Sequence, residues 1–280
     1  MRTPEARARR GVMVPRKLIY RDGIRIAYGV EGEGPLVLLV QGLAMSSQVW
    51  LLSWQRLVER GFRVAAIDNR GTGLSEVSYP PYTMCEMAAD AAHLIDHLGG
   101  PAIVAGLSLG GMVAQHVAIY HPRHVSGLVL AATTVGNPFG KLPHPTVLRT
   151  LTLGLLGHRK SMIAMRRFLV HPANLERDPK LFREFDRMIM AEGVRWQAVM
   201  GQLAAAGSHN TYFTAPRINV PVEILTGDSD GLVPTDNALI LARRIHGSEL
   251  TMLPQAGHAF PLEYPDAIPD AVVRVHARVN

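Results

Sequence analysis

The stretch VAGLSLGGMVAQHVA, residues 104 to 118, places one serine, Ser108, among three glycines at the point where strand-like residues give way to helical ones. Ile103, Val104, Ala105 and Leu107 run up to it as a strand would, and Met112 to Ile119 continue as a helix. A turn that sharp needs residues without a Cβ, because strained backbone angles and close neighbours exclude bulk. Gly106, Ser108 and Gly110 fit G-x-S-x-G, the elbow that holds a serine hydroxyl exposed at the top of a sheet. By itself the triplet is a weak signal, and a tight turn with an incidental serine is the competing explanation. Its strand-before, helix-after context is what the chemistry requires.

Working outward, short apolar runs bounded by turn residues alternate with helical patterns, which predicts a largely parallel sheet covered on both faces. KLIYRDG and IRIAYGVEGEG (17 to 34) suggest an opening hairpin. PLVLLVQG, FRVAAIDNRG, PAIVAGLS, VSGLVLAAT, VPVEILTGD and SELTMLPQAG then read as six buried strands, giving a sheet of about eight. Helices are expected at QVWLLSWQRLVERG, MCEMAADAAHLIDHLG, GMVAQHVAIYHP and TDNALILARRIHG, each ending near Gly or Pro. Between about 135 and 215 the strands stop, and three helical patterns (146–158, 159–170 and 179–207) take their place. An insertion of that size should lie over the carboxyl ends of the strands, as a cap on one core domain spanning residues 17 to 280.

Composition narrows the classes. The 280 residues are 48% apolar and carry a net charge of +6, but the excess is local. Residues 1 to 17 contribute +5 and residues 134 to 215 contribute +6, against −5 for the remainder. No nucleic-acid reading module accompanies the charge, so a solvated basic tail (residues 1 to 16) and a solvated basic face are expected, with no nucleic-acid partner. The longest aliphatic runs fall far short of the 18 or more residues of a membrane span. No apolar stretch follows the N-terminal arginines as a secretory signal would require. One cysteine, Cys85, fits a reducing, cytoplasmic setting.

A serine hydroxyl needs an imidazole to take its proton and a carboxylate to fix the imidazole's tautomer. Of twelve histidines, His258 in LPQAGHAFPLEYP follows a late strand on a loop, after a glycine, where it can reach back over the sheet. The acid should come from EILTGDSDGLVP, where Asp230 and Asp228 compete. Asp230 is preferred because it stands farther out of the strand, whereas Asp228 sits in the tight turn. The loop after the preceding strand, AATTVGN, has no carboxylate. For the oxyanion, the expected donors are the backbone N–H groups of Leu109, directly after the serine, and of Leu43 in LLVQGLAMS, where Gly42 should matter more than leucine's side chain.

With these segments in view, the chain resembles the α/β-hydrolase superfamily, in its branch of capped esterases, lipase-like enzymes and cofactor-free haloperoxidase-like proteins. VQGLAMSSQVW, AIDNRGTGLS, GLSLGG, GDSDGLVP and AGHAF carry the resemblance. One departure is that the family usually has His-Gly where this chain has Gln41-Gly42. A serine at 108 also sets the chain apart from the branches that use an aspartate nucleophile.

Two other patterns lead elsewhere. His93 and His97 are four apart on a helix, as metal ligands can be, but the H-E-x-x-H glutamate and a third ligand are missing. RGTGLSE lacks the third glycine of a dinucleotide site. Met162, Met165, Met188, Met190 and Met200 could line an adaptable apolar pocket or pack the cap against the sheet. The expected function is a cofactor-free serine hydrolase of small-molecule carboxylic esters with a mainly apolar acyl or alcohol part. Thioesters, lactones, C–C bonds and perhydrolysis are alternatives on the same machinery, and a ligand-binding protein with a silent triad is the alternative of another class.

Overall fold

The computed structural model describes residues 16–79, 82–155, 158–179, 182–183 and 195–279. Its centre is an eight-stranded sheet in the order β1-β2-β4-β3-β5-β6-β7-β8. The strands are β1 (Lys17–Arg21), β2 (Ile24–Glu31), β3 (Leu36–Val40), β4 (Arg63–Ile67), β5 (Ala102–Leu107), β6 (Val125–Ala131), β7 (Val222–Gly227) and β8 (Glu249–Leu253). β2 runs against both its neighbours, β1 and β4, and every pairing from β4 to β8 is parallel. The opening hairpin and the parallel body follow from the residue patterns, because strands buried on both faces need continuous apolar runs.

Alternate residues along each central strand feed two cores. On one face Leu38, Val40, Val104, Leu128, Leu130 and Ile224 meet α2 (Met84–His97), α3 (Leu109–Tyr120) and α8 (Asp236–Arg244) through Met87, Leu94, Val113, Val117 and Leu241. On the other, Val37, Leu39, Ile103, Val129 and Leu225 meet α1 (Leu51–Glu59) and α10 (Ala267–Ala277) through Trp54, Leu57, Val272 and Val275. Each such leucine or valine, fully buried, contributes about 1.5–3 kcal/mol. α2 begins where it does because Thr83 and Glu86 form a reciprocal cap: the Thr83 hydroxyl accepts from Glu86 N, and the Glu86 carboxylate accepts from Thr83 N.

One strand differs from expectation. SELTMLPQAG does form β8, but it is an edge strand and not a buried one: Glu249 and Met252 are exposed and its other residues half-buried. Only β7 pairs with it, so its other edge is open and Glu249 and Met252, on opposite faces, meet solvent.

Between β6 and β7 the α-helices of the described residues are α4 (Pro145–Leu155), α5 (Arg159–Leu169), α6 (Pro172–Arg177) and α7 (Trp196–Ser208). The two ends of this segment are tied together. Gly136 bridges Asn210, Thr211 N donates to Val135 O (2.8 Å), and Asn137 N donates to His209 O (3.1 Å). Of the methionines in this segment, Met165 is buried and Met200 is exposed; Met188, Met190 and the side chain of Met162 lie outside the described residues. Residues 1 to 15 of the basic tail lie outside them too.

A chain of side chains ties the end of α7 to α3. The His209 Nε2 lies 3.0 Å from the Thr134 carbonyl, its Nδ1 lies 3.2 Å from His116 Nε2, and His116 Nδ1 lies 3.7 Å from Cys85 Sγ. Only one neutral arrangement satisfies all three contacts: Cys85 S–H donates to His116, His116 N–H to His209, and His209 N–H to Thr134. Burial lowers the pKa of His116 to about 4 and, with His116's repulsion added, that of His209 to about 3. The unfolded chain takes up these protons below the ordinary imidazole value of about 6.5. Between about pH 6.5 and 4 the unfolded state thus binds more protons than the folded one, and the pair's stabilisation is lost as pH falls. Unfolding by urea should therefore show a drop of about 2 kcal/mol or more between pH 7 and 5, and a smaller drop in His116→Gln. Equal drops in the two proteins would contradict this assignment.

Candidate active site

Ser108 sits at the β5–α3 turn with φ 56° and ψ −118°, a left-handed conformation that costs a non-glycine residue about 1–3 kcal/mol. The surroundings hold it there. Ser108 N donates to Ala131 O of β6 (2.8 Å), and Ser108 O accepts from Gly111 N (2.9 Å) and from the Thr133 hydroxyl (2.8 Å). Two glycines allow the approach. A Cβ on Gly106 would lie 2.2 Å from the Gly110 carbonyl oxygen, and one on Gly110 would lie 1.9 Å from that of Val40. Gly110→Ala must push α3 away from β3, so a loss of about 3 kcal/mol or more is expected in chemical denaturation, at the upper end for overpacking. A variant as stable as wild type would show that the elbow is not close-packed there.

Beyond β7, Asp230 is buried and fully engaged. Its Oδ1 accepts from the backbone N–H groups of Leu232 and Val233, both at 2.8 Å, and its Oδ2 lies 2.8 Å from His258 Nδ1. Those amides leave Oδ2 as the acceptor for Nδ1–H, which puts the imidazole in the tautomer whose Nε2 carries a lone pair. Asp228 is exposed, and its carboxyl is held below the usual range chiefly by the Ser229 hydroxyl, 2.7 Å away. Of the two competing aspartates, the imidazole's partner is Asp230.

Gly42 stands beside the serine: a Cβ there would lie 3.5 Å from Ser108 Cβ. Leu43 follows it, partly buried, and Ala44 then turns the chain with φ 60°. Leu109 is the first residue of α3, so its N–H has no acceptor within the helix and points out of the positive helix end. Gln41 is fully buried, and neither end of its amide has a protein partner among the described residues. Its backbone carbonyl accepts from Asn69 Nδ2 at 3.3 Å. Ser108, Gly42, Asp230 and His258 thus gather at the carboxyl ends of β5, β3, β7 and β8, the end where open parallel sheets bind ligands. No Ser108–His258 hydrogen bond is present among the described residues.

Sequence reasoning missed one residue that organises the histidine loop. The buried carboxylate of Glu263, in α9 (Phe260–Glu263), accepts from Gly257 N (2.7 Å) through Oε2 and from His171 N (2.8 Å) and Asn174 Nδ2 (3.0 Å) through Oε1. The end of α5 is bonded to both loops as well: the Phe168 carbonyl accepts from Gly231 N (3.2 Å) and the Leu169 carbonyl from Ala259 N (2.7 Å). A glutamate inside the otherwise apolar FPLE was the available signal.

His93 and His97 are occupied elsewhere, the first on the Tyr20 carbonyl (3.1 Å) and the second on the Tyr28 hydroxyl (3.1 Å), where they seat α2 on the hairpin. Among the described residues no cluster of three His, Cys, Asp or Glu side chains could hold a metal, and no helix is long and apolar enough to cross a membrane.

Comparison with known proteins agrees with this architecture. The family described as "alpha/beta hydrolase fold" matches residues 35–265. A pimeloyl-[acyl-carrier protein] methyl ester esterase of Vibrio atlanticus is 29% identical over 240 residues, 82% of this chain and 90% of that protein. A poly(3-hydroxyalkanoate) depolymerase of Ectopseudomonas oleovorans is 30% identical over 217 residues, 75% of this chain and 74% of that protein. The solved structure of a thermophilic esterase from Thermogutta terrifontis superposes with a TM-score of 0.80 at 27% identity, covering 95% of this chain and 99% of that one. The chain belongs to the α/β-hydrolase fold family and is a hydrolase.

Proposed function

We propose that the chain is a serine hydrolase that cleaves carboxylic esters with a mainly apolar acyl or alcohol part through an acyl-enzyme. The observation that carries the reading is the Asp230–His258 pair, whose hydrogen bonding leaves Nε2 as a base at the same sheet end as the strained Ser108. Ser108 Oγ attacks the ester carbonyl carbon while His258 Nε2 takes its proton, and Asp230 stabilises the imidazolium so formed. The N–H groups of Leu43 and Leu109 receive the charge that develops on the carbonyl oxygen. Collapse expels the alcohol, which takes the proton from His258. Water then attacks the acyl-enzyme by the same route, releasing the acid and restoring Ser108.

The relatives named for methyl ester and polyester substrates support the choice of esters. In this reading α4 to α7 form a cap over the site, because the end of α5 bonds to the residues after Asp230 and His258. The scheme needs no cofactor, and the single free cysteine supports a reducing compartment such as the cytoplasm. The test is initial rates on p-nitrophenyl esters of increasing acyl length. Saturable hydrolysis with a burst of p-nitrophenol equal to the enzyme concentration is expected wherever deacylation is the slow step. No turnover of any ester above the buffer rate would remove the reading.

A further inference from the structure

Gln202 is fully buried on α7, yet both ends of its side-chain amide bond outside the inserted helices. Its Oε1 accepts from the backbone N–H of Ala44 at 2.9 Å, and its Nε2 donates to the carbonyl of Arg70 at 2.9 Å. The partners fix the amide's orientation, since only the oxygen can meet an N–H and only the NH₂ can meet a carbonyl.

Arg70 is a rigid anchor. Its guanidinium is forked onto the buried carboxylate of Asp90 at 2.5 and 3.0 Å, and its pKa is raised first by that hydrogen bond. The helix carrying Gln202 is seated as firmly: a Cβ on Gly71 would lie 2.2 Å from Ala198 Cβ, and one on Gly201 would lie 2.4 Å from the Tyr82 ring. At the other end of the bridge stands Ala44, one residue past Leu43, in the left-handed conformation that turns the loop. Gln41, on the other side of Gly42, gives the loop no side-chain support, because its amide has no protein partner among the described residues.

We infer that Gln202 is a positioning residue for the reaction: it reaches from the inserted helices to hold the 42–44 loop so that the Leu43 N–H points at the developing oxyanion. The inference rests on the esterase reading above. It makes the helical segment a structural part of the oxyanion site as well as a cover for it.

The experiment compares matched p-nitrophenyl acetate and p-nitrophenyl thionoacetate. Sulfur is larger and a weaker acceptor than oxygen, so donors aligned for an oxyanion help the thionoester much less. A variant that loses this alignment loses rate on the oxoester selectively, whereas a variant with a generally damaged site loses both alike. Gln202→Met keeps the volume and removes both hydrogen bonds; its kcat/KM for the oxoester should fall about 10- to 100-fold, with less than about a threefold fall for the thionoester on the same argument. Should Gln202→Met fail to fold, Gln202→Asn, one methylene too short to bridge Ala44 and Arg70, is read by the same ratio. An unchanged oxoester-to-thionoester ratio in a folded variant overturns the inference while wild-type esterase activity stands. A wild-type protein with no Ser108-dependent ester hydrolysis overturns the esterase reading, and this inference with it.

Discussion

Ser108→Ala is expected to lower turnover of p-nitrophenyl acetate by about 10³-fold or more while leaving the fold intact. The methyl fits where the methylene stood, and the turn is held by backbone groups: Ser108 N to Ala131 O, and Gly111 N and the Thr133 hydroxyl to Ser108 O. Alanine at φ 56° keeps the backbone strain that serine already bears, so stability should move little. What disappears is the atom that forms the covalent bond. The remaining rate, from substrate binding and the oxyanion donors, should exceed that in water but show no burst. Near-normal turnover in the variant would remove Ser108 from the mechanism, whatever the geometry around it.

Asp230→Asn should be nearly as damaging, with kcat falling about 10³- to 10⁴-fold. The reason lies in which atoms the side chain can offer. Asn keeps one oxygen, which the N–H groups of Leu232 and Val233 both require. Its NH₂ is then turned toward His258 Nδ1, which must accept in place of donating. The proton moves to Nε2, and the imidazole faces the serine with a donor where a base is needed. Asp228→Asn should change turnover less than about threefold, since Asp228 is exposed and bonded to Ser229 in the turn, as is usual of surface substitutions away from a site. Rates on one activated ester for the two variants side by side separate the aspartates. Comparable losses at both positions would mean that the Asp230–His258 contact does not set the base.

How much of this was legible from residues alone depended on whether the information was local. The elbow was, because the close approach of α3 to β5 at Gly106 and to β3 at Gly110 excludes a Cβ at either position, so glycine itself marks the site. The parallel core was too, since strands such as LVLLV in β3 are apolar throughout. β8 was misread as buried because its position at the edge of the sheet, which leaves Glu249 and Met252 exposed on opposite faces, is set by topology and not by its own residues. The preference for Asp230 over Asp228 came from its distance beyond the strand; the two amides that hold its carboxylate, those of Leu232 and Val233, were not legible. The partners of Gln202 and Glu263 were out of reach for a different reason, although a glutamate inside the apolar FPLE marked Glu263 itself. Gln202 bonds to a backbone amide 158 residues away, and Glu263 to one 92 away; a side chain that serves a distant backbone group leaves no mark in that partner's sequence. The absent histidine before Gly42 was visible, but that the loop is held instead from α7 was not.

In the proposed mechanism His258 and Asp230 make Ser108 nucleophilic. The most direct test is to treat the protein with a fluorophosphonate, then locate the adduct by intact mass and peptide mapping. The expected result is one phosphonyl group per chain, on the peptide containing Ser108, formed much more slowly in the Asp230→Asn variant. An unlabelled wild-type protein, or a label on any other residue, would contradict it.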